Sequence, residues 1–190
     1  MNLWMARRKP VSDLQEAYDA GQRIFGENKA LEMRDKYQEL PKDVKWHFIG
    51  HLQTNKLKMV LPYVSLIQSV DSQRLLDSIE AWANANDKSV AVLLEPHVAA
   101  EESKQGFSVD EVHSILNHAS SGKYPHIIFR GIMGMATFTD DESVVRSDFA
   151  VLRSIYDSCS EYYALPEFME LSIGMSDDYL MAIEYGSTMV

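Results

Sequence analysis

Lys88-Ser89-Val90-Ala91-Val92-Leu93-Leu94 is the stretch on which the fold turns. Its last five residues are all apolar, without the alternation of a strand that faces water on one side. A strand written this way is buried on both faces, as in a parallel α/β sheet. Downstream, Ser108 precedes a helical pattern over 109–119, and Glu111 three residues on completes a capping-box signature. Upstream, Asp71 or Ser72 caps a helix that runs towards Asn86. The strand therefore sits between two helices, and the same alternation continues in both directions.

Towards the N-terminus, strands are read at 65–69, 46–50, 22–26 and 3–6, separated by helices at 55–61, 28–40 and 12–21. Towards the C-terminus come a strand region at 127–133, a long helix at 140–163, a strand at 168–173 and a short helix at 177–185, and 187–190 begins an eighth strand. No linker or low-complexity segment interrupts the series, so 1–190 reads as one α/β domain. A series of eight β–α units favours a (β/α)8 TIM barrel over an open doubly wound sheet. The chain is shorter than the roughly 200-residue lower end of that fold. An eighth strand of four residues leaves the closing ladder short of partners, so the expected barrel is incomplete at its termini. Exposed edges invite association, and the expected state is a monomer or a weak homodimer.

Composition narrows the function. With 46% apolar and 24% charged residues, 190 residues suffice for a substantial core, and disorder is excluded. Lys and Arg number 18 against 28 Asp and Glu, and the net charge of −10 argues against a nucleic-acid partner or an anionic membrane surface. A local nest of backbone N–H groups can still hold a phosphate on a small molecule. One cysteine, Cys159, rules out an internal disulfide or a thiolate zinc site, and no nearby base activates it. The first ten residues place their basic cluster after a very short apolar stretch, the reverse of a secretory signal. The best apolar run, 59–67, is cut by Pro62. These features point to the cytoplasm.

In a parallel barrel, function collects where strands end. Gly26-Glu27-Asn28 follows the second strand, Gly50 to Lys56 the third, 101–106 with Lys104 the fifth, Gly131 to Met135 the sixth and Ser172 to Asp177 the seventh. The last is a Gly-bearing turn from strand into helix with Ser176 at the expected N-cap, an arrangement suited to a phosphate or carboxylate. A cap that serves only its own helix is the alternative. His47 and His51 are four apart, but the strand end and Gly50 between them prevent a one-face metal pair, so one packed and one hydrogen-bonded loop histidine are expected. Met133 and Met135 fall on one side of a strand and read as barrel filling, with a methionine at the mouth able to wall a flat ring. Glu80, Asp87, Glu101 and Glu102 show no glycosidase-like pairing.

Several segments together resemble a known family. They are 17–28 (ending Arg23-Ile24-Phe25-Gly26-Glu27-Asn28), 46–56 (Trp46-His47-Phe48-Ile49-Gly50-His51-Leu52-Gln53-Thr54-Asn55-Lys56), 102–107, 131–135, 171–179 (opening Leu171-Ser172-Ile173-Gly174-Met175-Ser176) and 182–190. In order and spacing they are similar to the YggS/PROSC family of pyridoxal 5′-phosphate (PLP) homeostasis proteins, barrels like the N-terminal domain of alanine racemase. The resemblance spans nearly the whole chain. It implies a PLP carrier or regulator without established turnover, the cofactor held at the barrel mouth as an imine on a lysine ending the first strand.

Against the family pattern Val-Ser-Lys-x-x-Pro, the segment Met5-Ala6-Arg7-Arg8-Lys9-Pro10 puts Arg7 at the lysine position. A guanidinium stays protonated and offers donors only, so Arg7 cannot form the bond. Lys9, two residues on, would point the same way about 6–7 Å further along an extended strand. The family continues past Ser-Thr-Met-Val into Arg-Ile-Gly-Thr, and an N-terminal helix usual in it precedes the first strand; neither is in this sequence, which reads as a shortened or diverged copy. Pro96 interrupts the fifth strand end, where it removes a ladder donor, and His97 stands where many members have Asn. Of the cofactor contacts the resemblance implies, Ser172, Gly174 and Ser176 are retained, with Asn28, His51 and Met133 as wall residues. The expectation is a non-catalytic PLP-binding protein with weakened or lost covalent attachment. A PLP-dependent racemase-like enzyme and an inactive paralogue without cofactor are the alternatives.

Overall fold

The computed structural model describes residues 3–98 and 105–190. Its strands are β1 (Trp4–Met5), β2 (Ile24–Glu27), β3 (Lys45–Phe48), β4 (Val64–Val70), β5 (Val90–Leu94), β6 (Ile127–Gly134) and β7 (Glu170–Ile173). The helices are α1 (Val11–Asp19), α2 (Ala30–Glu39), α3 (Leu57–Val60, entered through a 3₁₀ turn at Thr54–Lys56), α4 (Gln73–Ala85), α5 (Val109–Ser120), α6 (Glu142–Tyr162) and α7 (Tyr179–Glu184). All strand pairs are parallel, and the strands lie in the sheet in chain order. Each helix therefore returns the chain over one face of a curling sheet.

The unalternating run in β5 is explained by two apolar layers. Val90, Val92 and Leu94 join the main core beneath the helices. Leu93 packs on the other face with Leu66, Met133 and Met189, and Leu3 and Ala91 border that cluster. Both faces of the sheet are thus dry. Ser108 caps α5 as expected: its hydroxyl accepts the Glu111 N–H at 3.2 Å, and its own N–H donates to Glu111 Oε2 at 2.8 Å.

The expected eighth strand is reduced to a single bridge. Met189 pairs with Ser172, the Thr188 N–H donates to Leu171 O at 2.8 Å, and the Leu3 N–H donates to Val190 O at 2.9 Å. The 188–190 segment thereby links β7 to the residue preceding β1 by single bonds only, and with seven strands and no β7–β1 ladder the barrel is incomplete, as expected. Pro96 is a second correction. It forms a bridge with Phe107, and the ladder bonds there run from the His97 N–H to Phe107 O and from the Phe107 N–H to Glu95 O, each 2.9 Å. The missing proline donor falls where a parallel bridge needs none.

Candidate functional site

At the end of β1 the chain turns at once. The Ala6 N–H donates to Gly26 O at 2.8 Å, and the Lys9 N–H folds back to Ala6 O at 3.1 Å. Arg8 takes a φ of 58°. The extended continuation expected for Lys9 is therefore absent: its Nζ lies 4.0 Å from Asp13 Oδ2, over the start of α1. Arg7 is exposed at the turn. With the Asn28 amide oriented so that its nitrogen donates to Glu27 Oε1 at 3.2 Å, its oxygen accepts from Arg7 Nε at 3.3 Å.

Below Arg7 lies a buried ion pair that sequence reading missed. Lys36 Nζ donates to Glu27 Oε2 at 2.6 Å, to Ala6 O at 2.8 Å and to Glu32 Oε2 at 3.3 Å. Glu27 is fully buried, and its other oxygen accepts the N–H groups of Asn28 at 2.8 Å and Lys29 at 3.2 Å. One ammonium thus ties the ends of β1 and β2 together and, through Glu27, orients Asn28. Residues nine apart on a strand and the following helix carry no local signal for such a pair.

The two histidines separate as the spacing argument expects. His47 is buried, and its Nδ1 meets Gln68 Nε2 at 3.0 Å. Burial, then the charges of Lys45 and Arg130, lower its pKa to about 4, so the ring is neutral. Gln68 Oε1 accepts from Ser172 Oγ at 2.8 Å, and its nitrogen also reaches Met189 Sδ. The Ser172 hydroxyl is thus committed inside the barrel. Met133 lies in the interior cluster, and Met135 is exposed.

His51 is half exposed, and its Nδ1 lies 2.8 Å from Asp71 Oδ2 at the end of β4. Beside them is Glu95, at the end of β5. Burial raises its pKa to about 7, with a smaller push from Asp71 and an opposing one from His51. The loop carrying His51 crosses close over Asn28: a Cβ on Gly50 would stand 2.5 Å from Asn28 O. Between these loops opens a cavity of about 520 Å³, lined among others by Asn28, Phe48, His51, Leu52, Gln53 and Lys56.

The turn after β7 differs from the expectation in its cap. Asp178, not Ser176, is the N-cap of α7, and Asp178 Oδ1 accepts the Met175 N–H at 2.5 Å. That carboxylate closes the turn before α7 and makes no side-chain cap bond to the helix itself. Ser176 is exposed, and among the described residues no protein group accepts from the N–H groups of Ser176 or Asp177. Gly174 holds a φ of +97°, and a Cβ there would meet Ala182 Cβ at 2.5 Å. The turn fits an anion: open donors beside a backbone that only glycine can supply. Lys104, Glu101 and Glu102 lie outside the described residues.

Comparison with known proteins bears on the family and the fold. The family model for the alanine racemase N-terminal domain matches residues 9–190. A pyridoxal phosphate homeostasis protein of Aquifex aeolicus is 35% identical over 191 residues, covering 99% of this chain and 82% of the relative. That of Bos taurus is 38% identical over 199 residues, covering 98% and 72%. The solved structure of PipY from Synechococcus elongatus with PLP bound superposes with a TM-score of 0.88 at 28% identity, covering all of this chain and 88% of PipY. A barrel of this topology, matched along nearly its whole length at such identities, places the chain in the pyridoxal phosphate homeostasis protein family, on the alanine racemase N-terminal domain fold.

Proposed function

We propose that this protein binds PLP at the barrel mouth without a covalent lysine bond and acts as a carrier or buffer rather than as a catalyst. The observation that carries the reading is the guanidinium at the end of β1, held against Asn28. When bound, PLP brings an aldehyde that an unprotonated amine can capture and a pyridine ring that withdraws electrons. Arg7 has no lone pair to offer. Lys9 is turned towards Asp13, and Lys36 is buried with Glu27, Glu32 and Ala6 O as acceptors. The phosphate end is better served. Ser176 and the open N–H groups at 176–177 fit a phosphate ester, Gly174 gives the backbone room, and Asn28 and His51 stand along the rim. Ser172 and Met133 support the site from inside the barrel. Each charged hydrogen bond absent from such a site lowers affinity by about 1.5–3 kcal/mol, so binding is weak and reversible.

The test is to incubate the protein with PLP, reduce with borohydride and map adducts by mass spectrometry. The expected wild-type result is no pyridoxyl-lysine, absorbance lost on dialysis, and a melting temperature that rises with PLP concentration. Arg7→Lys should gain an adduct at residue 7. A lysine adduct in the wild type refutes non-covalent binding, and a melting temperature indifferent to PLP refutes binding itself.

A further inference from the structure

The cavity over β2 and β3 has an apolar floor, Phe48 and Leu52, both buried, and a polar rim of Asn28, His51, Gln53 and Lys56. Its charges do not balance. The one carboxylate lining it, Glu32, is engaged by Lys29 at 2.9 Å and by Lys36 at 3.3 Å. Those two ammonium groups hold its pKa below the usual carboxylate range. Lys56, partly exposed, has no acidic partner among the described residues. His51 is fixed by the bond from Nδ1 to Asp71, which leaves Nε2 as its open nitrogen. Arg7 adds a further cation behind Asn28.

We propose that this cavity is a binding site for a small organic anion, its apolar body on Phe48 and Leu52 and its carboxylate or phosphate at Lys56 and His51. It is separate from the turn after β7, since β1 and the 188–190 segment lie between β7 and β2 around the barrel. It shares Asn28 and His51 with the rim proposed for PLP, so the two ligands meet at that rim, while the phosphate turn at 174–177 lies outside it. An apolar floor excludes hydrated inorganic ions as the preferred occupant, and the unpaired ammonium selects against neutral analogues of the same shape.

The test uses the full chain with benzoate and phenyl phosphate as probes and benzamide as the uncharged control, following the His51 ring resonances by NMR, assigned with His51→Gln. Both anions should give saturable shifts, and the tighter of the two identifies the preferred head group. Lys56→Gln should weaken binding about fivefold or more, as loss of a charge-assisted contact implies. Lys56→Arg should stay close to wild type, and Ser176→Ala should leave anion binding unchanged. Equal shifts from benzamide, undiminished binding by Lys56→Gln, or loss of binding in Ser176→Ala overturns the proposal. Equilibrium dialysis of PLP against the same variants keeps the two readings apart. Retained PLP with no benzoate site removes the cavity proposal alone, and the reverse removes the cofactor proposal alone.

Discussion

Glu95 and His47 are titratable groups whose burial works against their charged forms, and they limit stability from opposite sides of neutral pH. For Glu95 the folded pKa is raised from 4.5 to about 7. Its relative stabilisation is complete below 4.5 and is lost as pH rises through about 7, where a buried carboxyl must ionise. For His47 the folded pKa is lowered from 6.5 to about 4. Its contribution is complete above 6.5 and is lost as pH falls towards 4. Glu95→Gln should therefore flatten the fall in melting temperature between pH 5 and pH 8 and leave the acid limb unchanged; an unaltered alkaline limb would show that Glu95 is ionised throughout. Lys36 poses the sharper risk. Removing one partner of a buried pair leaves the other charged and unsolvated, so Lys36→Met should cost about 3–5 kcal/mol in denaturant unfolding. Replacing Glu27 and Lys36 together by apolar residues should recover much of that loss.

At the scale of elements, the caps decide where helices begin, and they were unequally legible. The Ser108 and Glu111 pair is written in four consecutive residues and formed as expected. Ser108→Ala should cost about 1 kcal/mol, read as a small drop in unfolding midpoint with unchanged slope. The start of α7 was misread because Ser176 and Asp178 are both cap-type residues, and only the path of the turn puts Asp178 at the N-cap, its Oδ1 facing back to the Met175 N–H rather than into the helix. β2 shows a similar displacement. Its start moves from Gln22 to Ile24 because Gln22 and Arg23 serve the end of α1: the Gln22 N–H donates to Ala17 O, and the Arg23 guanidinium lies over the Tyr18 ring.

Across the whole molecule, the only link between the two edges of the incomplete barrel, among the described residues, is a very short segment. Met189 is buried in the interior cluster with Leu66, Leu93 and Met133, and its neighbours carry the bonds to β7 and to Leu3. Met189→Ala should cost about 2–5 kcal/mol through the cavity it leaves; a loss under 1 kcal/mol in equilibrium unfolding would mean the interior layer does not depend on that link. No helix among the described residues is long and apolar enough to cross a membrane. The parallel strand order was legible in the sequence because a strand dry on both faces has a continuous apolar signature, and the helices between such strands leave few other topologies. That the Arg7 side chain cannot form an imine was legible too, since the chemistry of a guanidinium does not depend on its surroundings. What only the tertiary structure decided were contacts between residues on different elements: Lys36 beneath Ala6, Asp71 behind His51, Gln68 between His47 and Ser172, and Lys9 turned away from the mouth. Local pattern governs which face of an element is apolar, whereas the partner of a polar side chain is set by how the sheet curls, and that is a property of the whole chain.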